Sequence, residues 1–270
     1  MKKYQQSIKQ FLLLVTPFLA SSVLAISPSR AATFAGSEGT FELTNFSQSP
    51  SSVSAETFAD TLGISKGGTV TALAQSEAFF LQVPPQGFNS SLSLAFGENG
   101  NYLAQAESEA TLIGIFDIKA DTDFSFNFAG NLELLTSIDN PPGEKARASG
   151  DISFALFDIE NNSALDFFSL AGNLTSEDDN DFIAYQKSEN VTLSNLVSDS
   201  SFGGNQEFAI ASADGFVKRY FTNNTSLALI EVKRNQVRVS APEPSTVLAL
   251  FFSCGVIGVA LKRKRNSSEA

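Results

Sequence analysis

The sequence predicts an all-β protein: a single antiparallel β-sandwich, jelly-roll or Ig-like, with an N-terminal signal helix and a C-terminal transmembrane helix. Three observations lead there. First, apolar and polar residues alternate over many stretches, most strongly from Asp123 to Leu135. Phe124, Phe126, Phe128, Leu132 and Leu134 share one parity there. A strand gathers that set on one face and puts Ser125, Asn127 and Glu133 on the other, whereas a helix scatters the rings around its circumference. Second, Gly-, Pro- and Asn-rich pieces punctuate these stretches. Third, the longest apolar runs lie at the two chain ends.

In chain order, residues 1–31 read as a secretory leader. Lys2, Lys3 and Lys9 form a basic start, Phe11 to Ala25 an apolar run, and small residues before Ala25 or Ala31 suit signal peptidase. Residues 32–240 form the passenger. Ser47 to Ser54 is a Ser-rich loop, and Glu56 to Leu62 reads as one short helix. Strands are expected over Thr69–Val83, Tyr102–Ile118, Asp123–Leu135, Gly150–Ile159, Val191–Val197, Glu207–Ala211 and Leu227–Val239. Gly130 invites a bend or bulge. Turns fall at Pro84-Pro85-Gln86-Gly87, Gly97-Glu98-Asn99-Gly100, Asn140-Pro141-Pro142-Gly143 and Ser201-Phe202-Gly203-Gly204. Phe128-Ala129-Gly130-Asn131-Leu132 echoes Leu170-Ala171-Gly172-Asn173-Leu174, which reads as two similar strand-and-turn pieces.

Residues 241–270 carry the most specific signal. Pro242-Glu243-Pro244 precedes an apolar run, Thr246 to Leu261, then Lys262-Arg263-Lys264-Arg265 and a short stub. As a helix the run spans roughly 24 Å, a little short of a hydrocarbon core of about 30 Å. Snorkelling basic side chains make up part of the difference, and their charge keeps that end cytoplasmic. The order of Pro-Glu-Pro, apolar run, basic cluster and chain end resembles the PEP-CTERM sorting signal of bacterial envelope proteins. That segment also goes by the name ice-binding protein C-terminal domain. The resemblance covers Pro242 to Arg265 and implies recognition by an exosortase, cleavage near Pro242–Pro244 and delivery to the envelope or surface. The membrane then holds the chain only transiently.

Composition narrows what the passenger does. The chain has 18 Lys+Arg and 29 Asp+Glu. Setting aside Lys2, Lys3, Lys9, Arg30, the four tail cations, Glu243 and Glu269 leaves 10 basic and 27 acidic residues, net −17. Such a surface repels phosphate backbones, which argues against nucleic-acid partners. No histidine occurs, and the single cysteine, Cys254, lies in the tail. Ser–His–Asp catalysis, His-ligated zinc and passenger disulfides are thereby excluded.

Gly63-Ile64-Ser65-Lys66-Gly67 matches a nucleophile-elbow spacing but lacks the histidine base. Glu177-Asp178-Asp179-Asn180-Asp181 is the densest acidic run. Asp178, Asp179 and Asp181 offer hard oxygen ligands for weak calcium binding, although the Gly and distant Glu of an EF-hand loop are missing. Asp117, Asp121 and Asp123 form a looser second candidate, and solvated acidic loops are the competing reading of both. Tyr102, Tyr185 and Tyr220 are candidate sugar-stacking rings. No cofactor is called for. The expected role is a non-enzymatic structural or adhesive protein of the envelope or extracellular matrix. The alternatives are a carbohydrate-binding module for exopolysaccharide and a carboxylate-dependent glycan hydrolase.

Overall fold

The computed structural model describes residues 32–139, 141–176 and 180–241. They form twelve strands: β1 (Ala32–Thr44), β2 (Ser52–Lys66), β3 (Thr69–Gln82), β4 (Pro85–Glu98), β5 (Asn101–Ile118), β6 (Thr122–Ser137), β7 (Lys145–Asp158), β8 (Ser163–Thr175), β9 (Phe182–Lys187), β10 (Val191–Ser201), β11 (Gln206–Phe221) and β12 (Thr225–Ala241). One six-stranded sheet has the order β10-β11-β6-β1-β4-β3 and the other β2-β5-β12-β7-β8-β9. All pairings are antiparallel. Twelve strands exceed the eight of a jelly roll and the seven to nine of an Ig domain.

The alternation read from the sequence is the alternation of burial. In β5, β6, β7 and β12 every second residue is buried over most of the strand. The buried faces of the two sheets meet in one core. At one end phenylalanine supplies the bulk that tryptophan, absent from the chain, does not. The Phe154 ring on β7 lies 5.4 Å from Phe126 and 5.1 Å from Phe128 on β6, and 6.1 Å from Phe41 on β1, so it ties the sheets together. At the other end the core narrows to Ala104, Ala106, Ala146, Ala148, Val237 and Val239.

Several expectations are corrected. Glu56 to Leu62, expected as a helix, lies inside β2 and pairs with β5 from Glu56↔Thr111 to Leu62↔Gln105. Phe58 and Leu62 stand four apart, which imitates a helical stripe. β2 is exposed on both faces, so no buried side imposes period two. Its ladder overrides the local pattern. The Ser-rich loop ends at Ser51. Gly130 makes no bulge, because pairing runs unbroken through Gly130↔Phe41 and Gly130↔Ala213. Its place is set by space: a Cβ there would lie 3.0 Å from the Phe41 ring. The echoed segments are not strand-and-turn units. Gly130 and Gly172 both sit inside strands, and Gly172 pairs with Gly150. β7, β10 and β11 run beyond their expected limits, while β1, β4, β8 and β9 are additional strands.

The hairpin between β4 and β5 turns on Asn99 and Gly100 alone, with φ of 55° and 75°. Two successive positive φ values define the tight turn that suits twisted antiparallel strands, and Asn-Gly accommodates them best. The turn Ser201–Gly204 is found, with Gly203 and Gly204 both at positive φ. Along one side of the molecule the edge strands β2 and β3 are joined by side chains. Ser76 Oγ donates to the Phe58 carbonyl at 3.0 Å, and Gln82 Nε2 to that of Ser51 at 3.0 Å.

Candidate functional site

Two groups of polar residues stand out, one inside the core and one on the outer surface of the second sheet. The inner one arises from the parity of β12. Leu227, Leu229, Glu231, Lys233, Asn235, Val237 and Val239 all point inward and are buried. Three polar residues therefore interrupt an apolar row. Across the gap β4 presents Asn89, Ser91 and Ser93 from its own buried face. Asn89 Nδ2 donates a hydrogen bond to Glu231 Oε2. Asn235 Nδ2 donates to the Ser91 carbonyl at 2.8 Å and to Ser91 Oγ at 2.9 Å. Ser93 Oγ donates to the Asn235 carbonyl at 3.1 Å and shares a 2.9 Å bond with Ser108 Oγ on β5.

Lys233 has no solvent exposure, and its Nζ donates at 3.4 Å to the Ser91 carbonyl. Its stem fills the space of an absent side chain: a Cβ on Gly39 would lie 2.8 Å from Lys233 Cε. Burial dominates the electrostatics. It pushes the Glu231 carboxyl up to about 8, against the opposing hydrogen bond from Asn89 and the attraction of Lys233. It pushes the Lys233 amine down to about 7, against the attraction of Glu231 and Glu38. Burial thus shifts both groups toward their uncharged forms, amine and carboxylic acid. Asn89 Oδ1, Glu231 Oε1 and Asn235 Oδ1 are buried without a hydrogen-bond partner. Each orphan costs about 1–3 kcal/mol.

The outer group is a trough on the solvent face of β2, β5, β12, β7 and β8. Two adjoining hollows of ≈ 520 and ≈ 490 Å³ share Glu107, Arg147, Ser149 and Gln236. Register sets their floor in cross-strand rows. Asp60, Glu107, Gln236, Ser149 and Asn173 form one row. Leu62, Gln105, Arg238 and Arg147 form the next. Arg147 and Arg238 stand directly opposite, a like-charge pairing that costs stability. Arg147 Nε donates to Asn173 Oδ1 at 3.2 Å, and Arg234 Nε pairs with Glu109 at 2.7 Å. The aromatic lining is Phe182, not tyrosine.

The residues singled out from sequence fare differently. Ala25, Ala31, Pro242, Glu243, Pro244, Thr246 to Leu261, Lys262, Arg263, Lys264, Arg265, Asp178 and Asp179 lie outside the described residues. Asp181 Oδ1 accepts the Thr175 backbone N–H at 2.7 Å, and its carboxyl adds to the burial that pushes Glu207 up. Asp117, Asp121 and Asp123 are taken up separately by Ser226 at 3.1 Å, Tyr220 at 3.0 Å and Lys218 at 3.0 Å. Among the described residues no three His, Cys, Asp or Glu side chains form a metal-binding group. Ser65 Oγ donates to the Gly68 carbonyl at 2.6 Å and closes a turn, without the strand-to-helix step of a nucleophile elbow. Tyr102 is buried with its hydroxyl 2.6 Å from Thr33 Oγ1, while Tyr185 and Tyr220 are exposed outside the trough. Among the described residues no helix is long and apolar enough to cross a membrane.

No known family matches the sequence, and no curated protein matches it. Among solved structures the chain is 12% identical to the translocator domain of autotransporter NalP from Neisseria meningitidis, covering 88% of this chain and 98% of that one at a TM-score of 0.16. It is 7% identical to the type II secretin GspD from enteropathogenic Escherichia coli, covering 84% and 73% at a TM-score of 0.10. Neither likeness is close enough to bear on fold or function.

Proposed function

We propose that the protein is an exported, non-enzymatic component of a bacterial envelope or extracellular matrix, with a structural or adhesive role. Its scaffold is one large β-sandwich between a cleaved leader and a sorting tail. Signal peptidase and an exosortase process the two ends, and the mature form resides in the outer envelope, on the surface or outside the cell. The observation that carries this reading is the succession of residues in the tail, Pro242-Glu243-Pro244, then Thr246 to Leu261, then Lys262 to Arg265. It starts one residue after β12, whose last residue is Ala241. Proline at Pro242 has no N–H to extend the ladder, so the sequence itself separates sheet from tail.

The test is the intact mass of the exported protein, with and without substitution of Pro242-Glu243-Pro244 by alanine. Export with a carboxyl terminus near residue 243 in the wild type, and retention of the full tail in the variant, supports the reading. An identical carboxyl terminus in both overturns it.

A second reading, a carbohydrate-binding module for exopolysaccharide, is favoured by the trough. Its Arg, Gln, Asn and carboxylate groups are suited to sugar hydroxyls and acidic substituents. Glycan-array binding that is lost in Arg147→Gln and Arg238→Gln selects it. Hydrolysis of a bound glycan by the purified protein is the outcome that selects the third reading, a carboxylate-dependent hydrolase.

A further inference from the structure

The buried row on β12 and its counterpart on β4 bring three complementary functional groups into one dry compartment. Lys233 supplies a primary amine, Asn89 a carboxamide and Glu231 a carboxyl group already hydrogen-bonded to that carboxamide. Only Glu231 touches Asn89 among the described hydrogen bonds, and Asn89 Oδ1 is left without a partner. Lys233 Nζ rests 3.4 Å from the carbonyl of Ser91, two residues along the same face of β4. Two residues of strand are about 6.6 Å. The four-carbon stem of lysine swings through that interval by rotamer change.

We propose that Lys233 and Asn89 join in an intramolecular isopeptide bond that staples β12 to β4, and so one sheet to the other, with Glu231 as the proton-transfer group. A half-turn of the carboxamide exchanges Nδ2 for Oδ1 at Glu231; the Glu231 acid then protonates Oδ1 while the neutral Nζ lone pair attacks Asn89 Cγ. The resulting carboxylate takes a proton from Nζ. The tetrahedral centre collapses, the Cγ–Nδ2 bond breaks, and Nδ2 leaves as ammonia with the proton returned through Glu231. Amine and carboxamide become a secondary amide and ammonia, Glu231 is regenerated, and no oxidant or further reactant enters. Burial prepares both partners, since it favours the uncharged amine as nucleophile and the protonated carboxyl as acid. The product removes a buried amine that would otherwise charge, together with a carboxamide that lacks an acceptor partner.

Asn235 is the competing electrophile. Both of its amide protons are held by Ser91, at 2.8 and 2.9 Å, and it lies two residues beyond Lys233 in the same strand. A bond there would link nothing across the core.

The experiment is intact mass spectrometry of the purified full chain and of its exported form, followed by proteolysis and fragment mapping. The expected wild-type mass is lower by one ammonia, with a branched peptide joining the segments that contain Asn89 and Lys233. Lys233→Met and Glu231→Gln are expected to regain the unmodified mass. Asn89→Asp is expected to lose water in place of ammonia. A wild-type mass without the loss overturns the proposal, and so does an ammonia loss mapped to any other residue. The wild-type measurement decides even where a variant fails to fold. Tail processing changes the carboxyl terminus and not this linkage, so the two proposals fail separately.

Discussion

Replacing Glu38 by glutamine is expected to stabilise the protein at alkaline pH and to leave it unchanged in acid. Glu38 on β1 lies directly opposite Glu133 on β6. Burial first, and repulsion from Glu133 second, push its carboxyl up to about 7, although Lys233 pulls the other way. A folded-state pKa above the unfolded one means that the carboxyl costs nothing below its ordinary value of 4.5. Folding then loses stability as pH rises through about 7. The rise from 4.5 to about 7 corresponds to roughly 3.4 kcal/mol, at about 1.36 kcal/mol for each tenfold change in the dissociation constant. Glu38 keeps part of its surface in water, and solvent screening reduces this to about 2 kcal/mol. Glutamine keeps the shape and removes the charge. Urea unfolding of both proteins at about pH 4 and about pH 9 measures the difference. A gain confined to the alkaline side supports the reasoning. An equal gain at both pH values traces to packing, and a loss at about pH 9 shows that the charge is favourable; either result refutes it.

Three further outcomes follow from the packing. Phe154→Ala removes the ring that touches Phe41, Phe126 and Phe128 and is expected to cost about 3–5 kcal/mol in the same unfolding assay. Asp166→Ala takes away a buried carboxylate that accepts from Ser188 at 2.8 Å and Asn190 at 3.1 Å and pairs with Arg219 at 3.1 Å. It is expected to cost roughly 3–5 kcal/mol and to speed hydrogen exchange in the β9–β10 connection. Gly39→Ala places a Cβ 2.6 Å from the Asn131 carbonyl and 2.8 Å from Lys233 Cε. It is expected to lower stability by about 1–3 kcal/mol, whereas Gly203→Ala, with nothing within 4 Å, meets only its unfavourable φ of 80°.

Where one face of a strand is buried, the sequence shows it. Asp123 to Leu135 and Leu227 to Val239 were legible because packing on one side forces alternation. β2 was not, since neither of its faces is covered and its place depends on a ladder with a partner about 50 residues away. β4 was hidden by the serines and asparagine that it buries: Asn89, Ser91 and Ser93 look like a loop until their partners on β12 are known. The inner site was within reach. Leu229 and Val237 share a parity, and the same parity places Glu231, Lys233 and Asn235 between them, facing the core. That step requires trusting the period through charged residues, which composition argues against. The trough was out of reach, because its rows are made by register between strands distant in sequence.

The place of β12 has a consequence for how the molecule is made. It is the last of the described strands in chain order, yet it occupies the middle of its sheet, between β5 and β7. Until it arrives, β2-β5 and β7-β8-β9 are two fragments with unsatisfied inner borders. A polypeptide emerging from its amino end would therefore keep this sheet open until residue 241 follows. Shortening it by that single strand is a recipe for clumping rather than for a smaller soluble protein.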